Sequence, residues 1–122
     1  MLRIDLPWLP PAILRGNSRA GHWAQRHRAA SSMRDSGYVH ALEAGHEPVQ
    51  RACVRFEFRH WKTIDLDNLI MGCKPFLDGL LVDSGLLPDD SGEYLSHCGA
   101  TLERVKKGEE GMTVTVTDDI LD

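Results

Sequence analysis

Val49-Gln50-Arg51-Ala52-Cys53-Val54-Arg55-Phe56-Glu57-Phe58-Arg59-His60-Trp61 carries a period of two. Ala52, Val54, Phe56 and Phe58 alternate with Cys53, Arg55, Glu57 and Arg59, and β-branched and aromatic side chains suit a pleated surface, so residues 49–61 read as a strand. Upstream, Leu2-Arg3-Ile4-Asp5-Leu6 alternates in the same way before Pro7 and reads as a first, shorter strand. Between them, residues 19–44 are rich in Ala, Arg, Gln and Met and lack proline, which favours a helix. Gly21 and Gly37 set its edges or interrupt it, and Gly45 closes it.

Downstream, residues 67–84 are helical in composition, but Pro75 lacks the N–H for a bond to Met71 and pushes Lys74 away from helical geometry. Either the helix kinks there or its main body starts at Pro75. Gly85 terminates it, and residues 86–92 form a turn-rich loop. Two late strands, residues 94–106 and 112–117, flank the polar segment 107–111, which suits a hairpin. The order β-α-β-α-β-β predicts an α/β (α+β) domain with a small mixed sheet.

At 122 residues the chain, 1–122, is expected to form a single domain around one core. It contains no run of about 18 apolar residues and no signal-peptide pattern, so the expectation is a soluble, cytoplasmic protein with no membrane partner. Cys53, Cys73 and Cys98 have no CxxC spacing, which argues against a zinc site or a disulfide framework and predicts buried thiols. The net charge of -4 conceals a split: residues 1–62 hold ten Lys/Arg against five Asp/Glu, and residues 63–122 hold four against thirteen. A basic surface for phosphates beside an acidic, metal-holding pocket fits that asymmetry.

The acids concentrate in Asp65-Leu66-Asp67-Asn68 and recur at Asp78 and Asp89-Asp90, among Leu, Ile, Phe and Val. Like charges gathered in apolar surroundings call for a compensating cation. Asp65 and Asp67, two apart, would project to one side of extended backbone and share a metal. Oxygen ligands without a Cys/His set favour Mg²⁺, or Mn²⁺, and leave positions for water and a phosphate ester. On a continuous helix Asp67, Lys74 and Asp78 would share one face, at about 100° per residue. Lys74 could then orient a phosphate or stabilise charge at the transition state. Its plain alternative is a surface ion pair with Asp78 worth about 0.3–0.5 kcal/mol. Asp83 reads as a solvated helix-end residue. An EF-hand starting at Asp65 would need oxygen, glycine and acidic positions where Leu69, Ile70 and Phe76 stand, and no phosphate loop, GxSxG elbow or dinucleotide fingerprint is present.

Taken together, Asp65-Leu66-Asp67-Asn68-Leu69, Lys74-Pro75-Phe76-Leu77-Asp78-Gly79-Leu80, Ser84-Gly85-Leu86-Leu87 and Asp89-Asp90 resemble the RusA family of Holliday-junction resolvases. Leu6-Pro7-Trp8-Leu9-Pro10-Pro11 with Asn17 is similar to that family's N-terminal pattern. The resemblance implies a small α/β homodimer, of the phage and prophage type, that cuts four-way DNA junctions with Mg²⁺. By position, Asp65, Asp67 and Asp90 match the family's catalytic carboxylates, Asp89 the neighbouring acid and Lys74 the catalytic lysine. The shorter family pattern has its lysine where Met71 stands here, so aligning Lys74 requires an insertion around residues 71–73.

On that reading Asp65, Asp67, Asp89 and Asp90 hold the metal, and Arg15, Arg19, Arg26, Arg28 and Arg34, with His22 and His27, contact phosphates. Trp8 or Trp23 stacks on an opened base or, as the plain alternative, is buried in the core or dimer interface. A two-fold dimer would supply two opposed cuts. Two rival expectations are a non-catalytic branched-DNA-binding protein and a metal-dependent nuclease for flaps or other branched DNA.

Overall fold

The computed structural model describes residues 1–15 and 23–119. Arg19, Asn17, Gly21 and His22 therefore lie outside the described residues. The chain forms a mixed α+β domain whose four-stranded sheet has the order β1-β4-β2-β3, with β1 Leu2–Leu6, β2 Ala52–His60, β3 Leu95–Arg104 and β4 Gly111–Asp118. The period-two reading holds: β1 buries Leu2, Ile4 and Leu6, and β2 buries Ala52, Val54, Phe56 and Phe58. In register, Val114 of β4 lies between Ile4 and Phe56, so the apolar faces of three strands merge into one layer.

The expected hairpin between the last two strands does not form. β4 runs antiparallel to both β1 and β2, while β3 pairs parallel to β2, so β2 separates the two late strands. Burial explains the arrangement. Met112, Val114 and Val116 are fully buried and need cover that an interior strand receives, whereas β3 is half-buried or exposed along its length and suits an edge. The polar link, with Gly108 at φ +99°, crosses the end of β2 instead of turning back on β3.

Helix α1 spans Trp23–Ala44 and ends at Gly45, whose φ of +65° suits glycine as a terminator. Gly37 neither bounds nor interrupts the helix. It is buried inside it, because the second helical segment crosses there so closely that a Cβ on Gly37 would collide with the carbonyl of Phe76. Gly79 answers from the other side, where a Cβ would collide with the carbonyl of Arg34.

That second segment is broken where proline demands it. Helix α2, Leu66–Gly72, stops at Cys73, and α3, Lys74–Leu77, begins with Pro75 in its first turn. The chain then widens into a π-helical stretch, Asp78–Asp83, before Gly85 turns it at φ +80°. Phe76, Leu80 and Leu81 are fully buried against the sheet's apolar layer. Trp8 joins this layer by an edge-on contact with Phe76, ring centroids 5.8 Å apart. Among the described residues no helix is long and apolar enough to cross a membrane.

Candidate functional site

The parallel β2–β3 pairing requires a crossover, and α2, α3 and the π-helical stretch supply it. A cleft of about 460 Å³ opens between this crossover and β3. Its walls are apolar, from Ile70, Met71, Leu77, Leu81 and Leu95, and its polar groups are Asp67, Lys74 and Asp90, with Cys98 at one side. Three of the charged residues singled out in the sequence therefore meet in one place, from α2, from α3 and from the loop before β3.

Lys74 organises the charges. Its ammonium donates to Asp78 Oδ1 at 2.6 Å, the one-turn spacing read from the sequence, and also to Asp90 Oδ2 across the loop. Partial burial works against the Lys74 charge, but the hydrogen bonds to Asp78 and Asp90 outweigh it and hold its pKa above the ordinary lysine value. The hydrogen bond from Lys74 correspondingly holds the Asp90 carboxyl below its ordinary range.

The remaining acids are placed differently. Asp65 and Asp67 do not share an extended stretch: Asp65 is the extended residue that precedes α2, at φ -64° and ψ 126°, while Asp67 is already in the first helical turn. Asp67 Oδ1 accepts from the Asn68 N–H at 3.0 Å. Asp65 and Asp89 are exposed and do not line the cleft. Among the described residues no three His, Cys, Asp or Glu side chains converge as a metal-holding group.

The donor chemistry nevertheless fits a hard divalent cation. The cleft offers carboxylate oxygens, and its two sulfurs are the Met71 thioether and the Cys98 thiol, whose pKa is raised by partial desolvation. The cysteines depart from the expectation of three buried thiols: Cys73 alone is buried, its pKa pushed up to about 12 by that burial, while Cys53 is half-buried and Cys98 exposed.

The basic residues do not form one stripe. Arg26 and Arg28 are exposed on α1, but two residues apart they point about 200° from each other around the helix. Arg34 is engaged by Asp83 through two hydrogen bonds, Nε to Oδ2 at 2.6 Å and Nη2 to Oδ1 at 2.7 Å, so Asp83 is a paired residue and not simply a solvated one. Arg15 donates Nε to the Pro10 carbonyl at 3.0 Å, and burial lowers its pKa. Trp23 is exposed at the start of α1, while Trp8 is partly buried against the core.

Sequence reasoning missed the β3 wall of the cleft, Leu95 and Cys98, because nothing local in either strand announces parallel pairing. It also missed the Arg34–Asp83 pair, which joins residues 49 positions apart. In comparisons with known proteins, no family model matches the chain and no curated protein matches it.

Proposed function

We propose that this chain is a metal-dependent endodeoxyribonuclease for branched DNA, acting on four-way junctions as its resemblance to the RusA family implies. The observation that carries the reading is the meeting of Asp67, Lys74 and Asp90, from three separate segments, in one cleft. A carboxylate pair with a fixed cation beside it is suited to phosphodiester hydrolysis, where negative charge must be tolerated in the ground state and stabilised as it develops.

Asp67 and Asp90 would hold a Mg²⁺ or Mn²⁺ ion, with Asp65 and Asp89 as neighbouring acids. The bound ion would lower the pKa of a water molecule and stabilise the departing oxygen. Lys74, released from Asp90, would turn its ammonium toward the scissile phosphate while Asp78 keeps it oriented. Exposed Arg26 and Arg28 would contact flanking phosphates, giving an affinity that falls with salt. Two copies related by a two-fold axis would place two such clefts on opposed strands.

One observation favours a second reading. The Lys74 ammonium is seated on Asp90, the carboxylate a metal would need, which suits a protein that binds branched DNA without cutting it. Cleavage of a labelled four-way junction, with duplex and flap controls, with and without Mg²⁺, separates the readings. Paired symmetric nicks are expected, and Asp67→Asn is expected to abolish them. Junction binding without nicks selects the architectural reading, preferential flap cutting selects a flap nuclease, and wild-type cleavage by Asp67→Asn removes Asp67 from the mechanism.

A further inference from the structure

A second cluster lies where β2 and β3 end together. His60 pairs in register with Arg104, and immediately beyond them Trp61 and the segment following β3 come side by side. Trp61 is 38% exposed, large for an indole at the end of a core strand. It is fixed from behind by His60, stacked at 5.6 Å between centroids, and by Arg104, whose Nη2 donates to the Trp61 carbonyl at 3.2 Å. The Lys62 backbone N–H is tied to His60 Nδ1 at 3.1 Å, so the turn itself is held. Two ammonium groups from different segments, Lys62 and Lys107, each lie 5.2 Å from the indole centroid. In the link that carries Lys107, Glu110 is folded back onto the Gly108 N–H at 2.9 Å, which lowers its pKa.

We infer that Trp61, with Lys62 and Lys107, is a stacking platform for an unpaired nucleobase whose adjoining phosphates meet the two ammonium groups. A rigidly held, exposed indole offers a π-face to any base, and base stacking on such a face is tolerant of sequence. Lysines that rest on the ring when it is bare have flexible stems long enough to move to its edge, where a strand's phosphates run. The placement has a functional sense. Trp61 precedes Asp65 by four residues, a span of at most about 14 Å, or about four stacked nucleotides at 3.4 Å each. An unpaired base opened at a branch point would thus be anchored a few nucleotides from the acidic segment. The inference deepens the proposed function and rests on its premise that the ligand is nucleic acid.

The test is fluorescence anisotropy of a short labelled oligothymidine at several salt concentrations, with circular dichroism of each variant as a folding control. Trp61→Ala is expected to weaken binding roughly five- to hundredfold, and Trp61→Phe to retain most of it. Replacing Lys62 and Lys107 together by Ala, at exposed positions whose loss leaves the core intact, is expected to flatten the log–log salt dependence by about 1.4. Wild-type affinity in Trp61→Ala, or an unchanged salt slope in the double lysine variant, overturns the platform. No binding of oligothymidine by the wild-type protein also overturns it, even if four-way junctions are cleaved. Trp61-dependent binding in a protein that cuts no junction would uphold the platform and sink the nuclease reading.

Discussion

Lys74 faces two carboxylates, and the pH dependence of that arrangement follows from its signs. Asp90 is held below its ordinary value of 3.8, so what the pair contributes is present above that value and is lost as pH falls through the depressed one. Lys74 is held above its ordinary 10.5, so its contribution is complete below that pH and is lost as pH rises through the elevated value. In the metal-free protein the contact should stay closed across the whole neutral range. Carboxyl-carbon NMR should find Asp90 titrating below 3.8, and Lys74→Met should move it upward. An Asp90 midpoint unmoved by that substitution would mean that the contact does not persist in solution. This pair was half legible: the one-turn spacing of Lys74 and Asp78 gives their contact directly, whereas Asp90 reaches Lys74 only because the chain between them turns at Gly85 and comes back. Asp65 and Asp67 misled for a related reason. Their two-residue spacing has meaning only in extended backbone, and the helix begins between them.

Among the elements, α1 and the crossover segment meet backbone to backbone through Gly37 and Gly79. Ala normally stabilises a helix over Gly by up to about 1 kcal/mol. At position 79 the added methyl would meet the Arg34 carbonyl, which belongs to a helix and cannot rotate away, so overpacking prevails. Gly79→Ala should therefore lower Tm by about 5–15 °C, while Gly92→Ala, with open space around it, should change little. A thermal melt of both variants decides the matter, and an unshifted Gly79→Ala would show that the crossing can relax. In the sequence a glycine within a helical stretch reads as a breaker, since its conformational freedom is a local property. Its smallness matters only when another helix is brought against it, and that information is not local. The strands were easier, because alternation in β1 and β2 is written residue by residue.

Across the whole molecule, the sheet order places β2 and β4 inside and β1 and β3 at the edges. Native-state hydrogen exchange should find the slowest amides in β2 and β4 and faster exchange at the amides of β3 that point away from β2. If β3 is protected evenly, its outer edge is paired with another strand, and a second copy of the chain is the first candidate. The fold class was legible from periodicity and composition, but strand order was not. A short polar link is compatible with a hairpin or with a step over a neighbouring strand, and only the burial needs of Met112, Val114 and Val116 choose between them.

That interior position of β4 bears on how the protein is made. Leu2 pairs with Val116, and Val114 seals both Ile4 and Phe56, so the core stays open until β4 has left the ribosome. The first strand must wait for its partner while the whole segment from Pro7 to Glu110 is made, and the nascent chain spends that interval with the apolar faces of β1 and β2 uncovered. A truncation before Gly111 would leave this intermediate with no way to close, a natural substrate for chaperones and proteases.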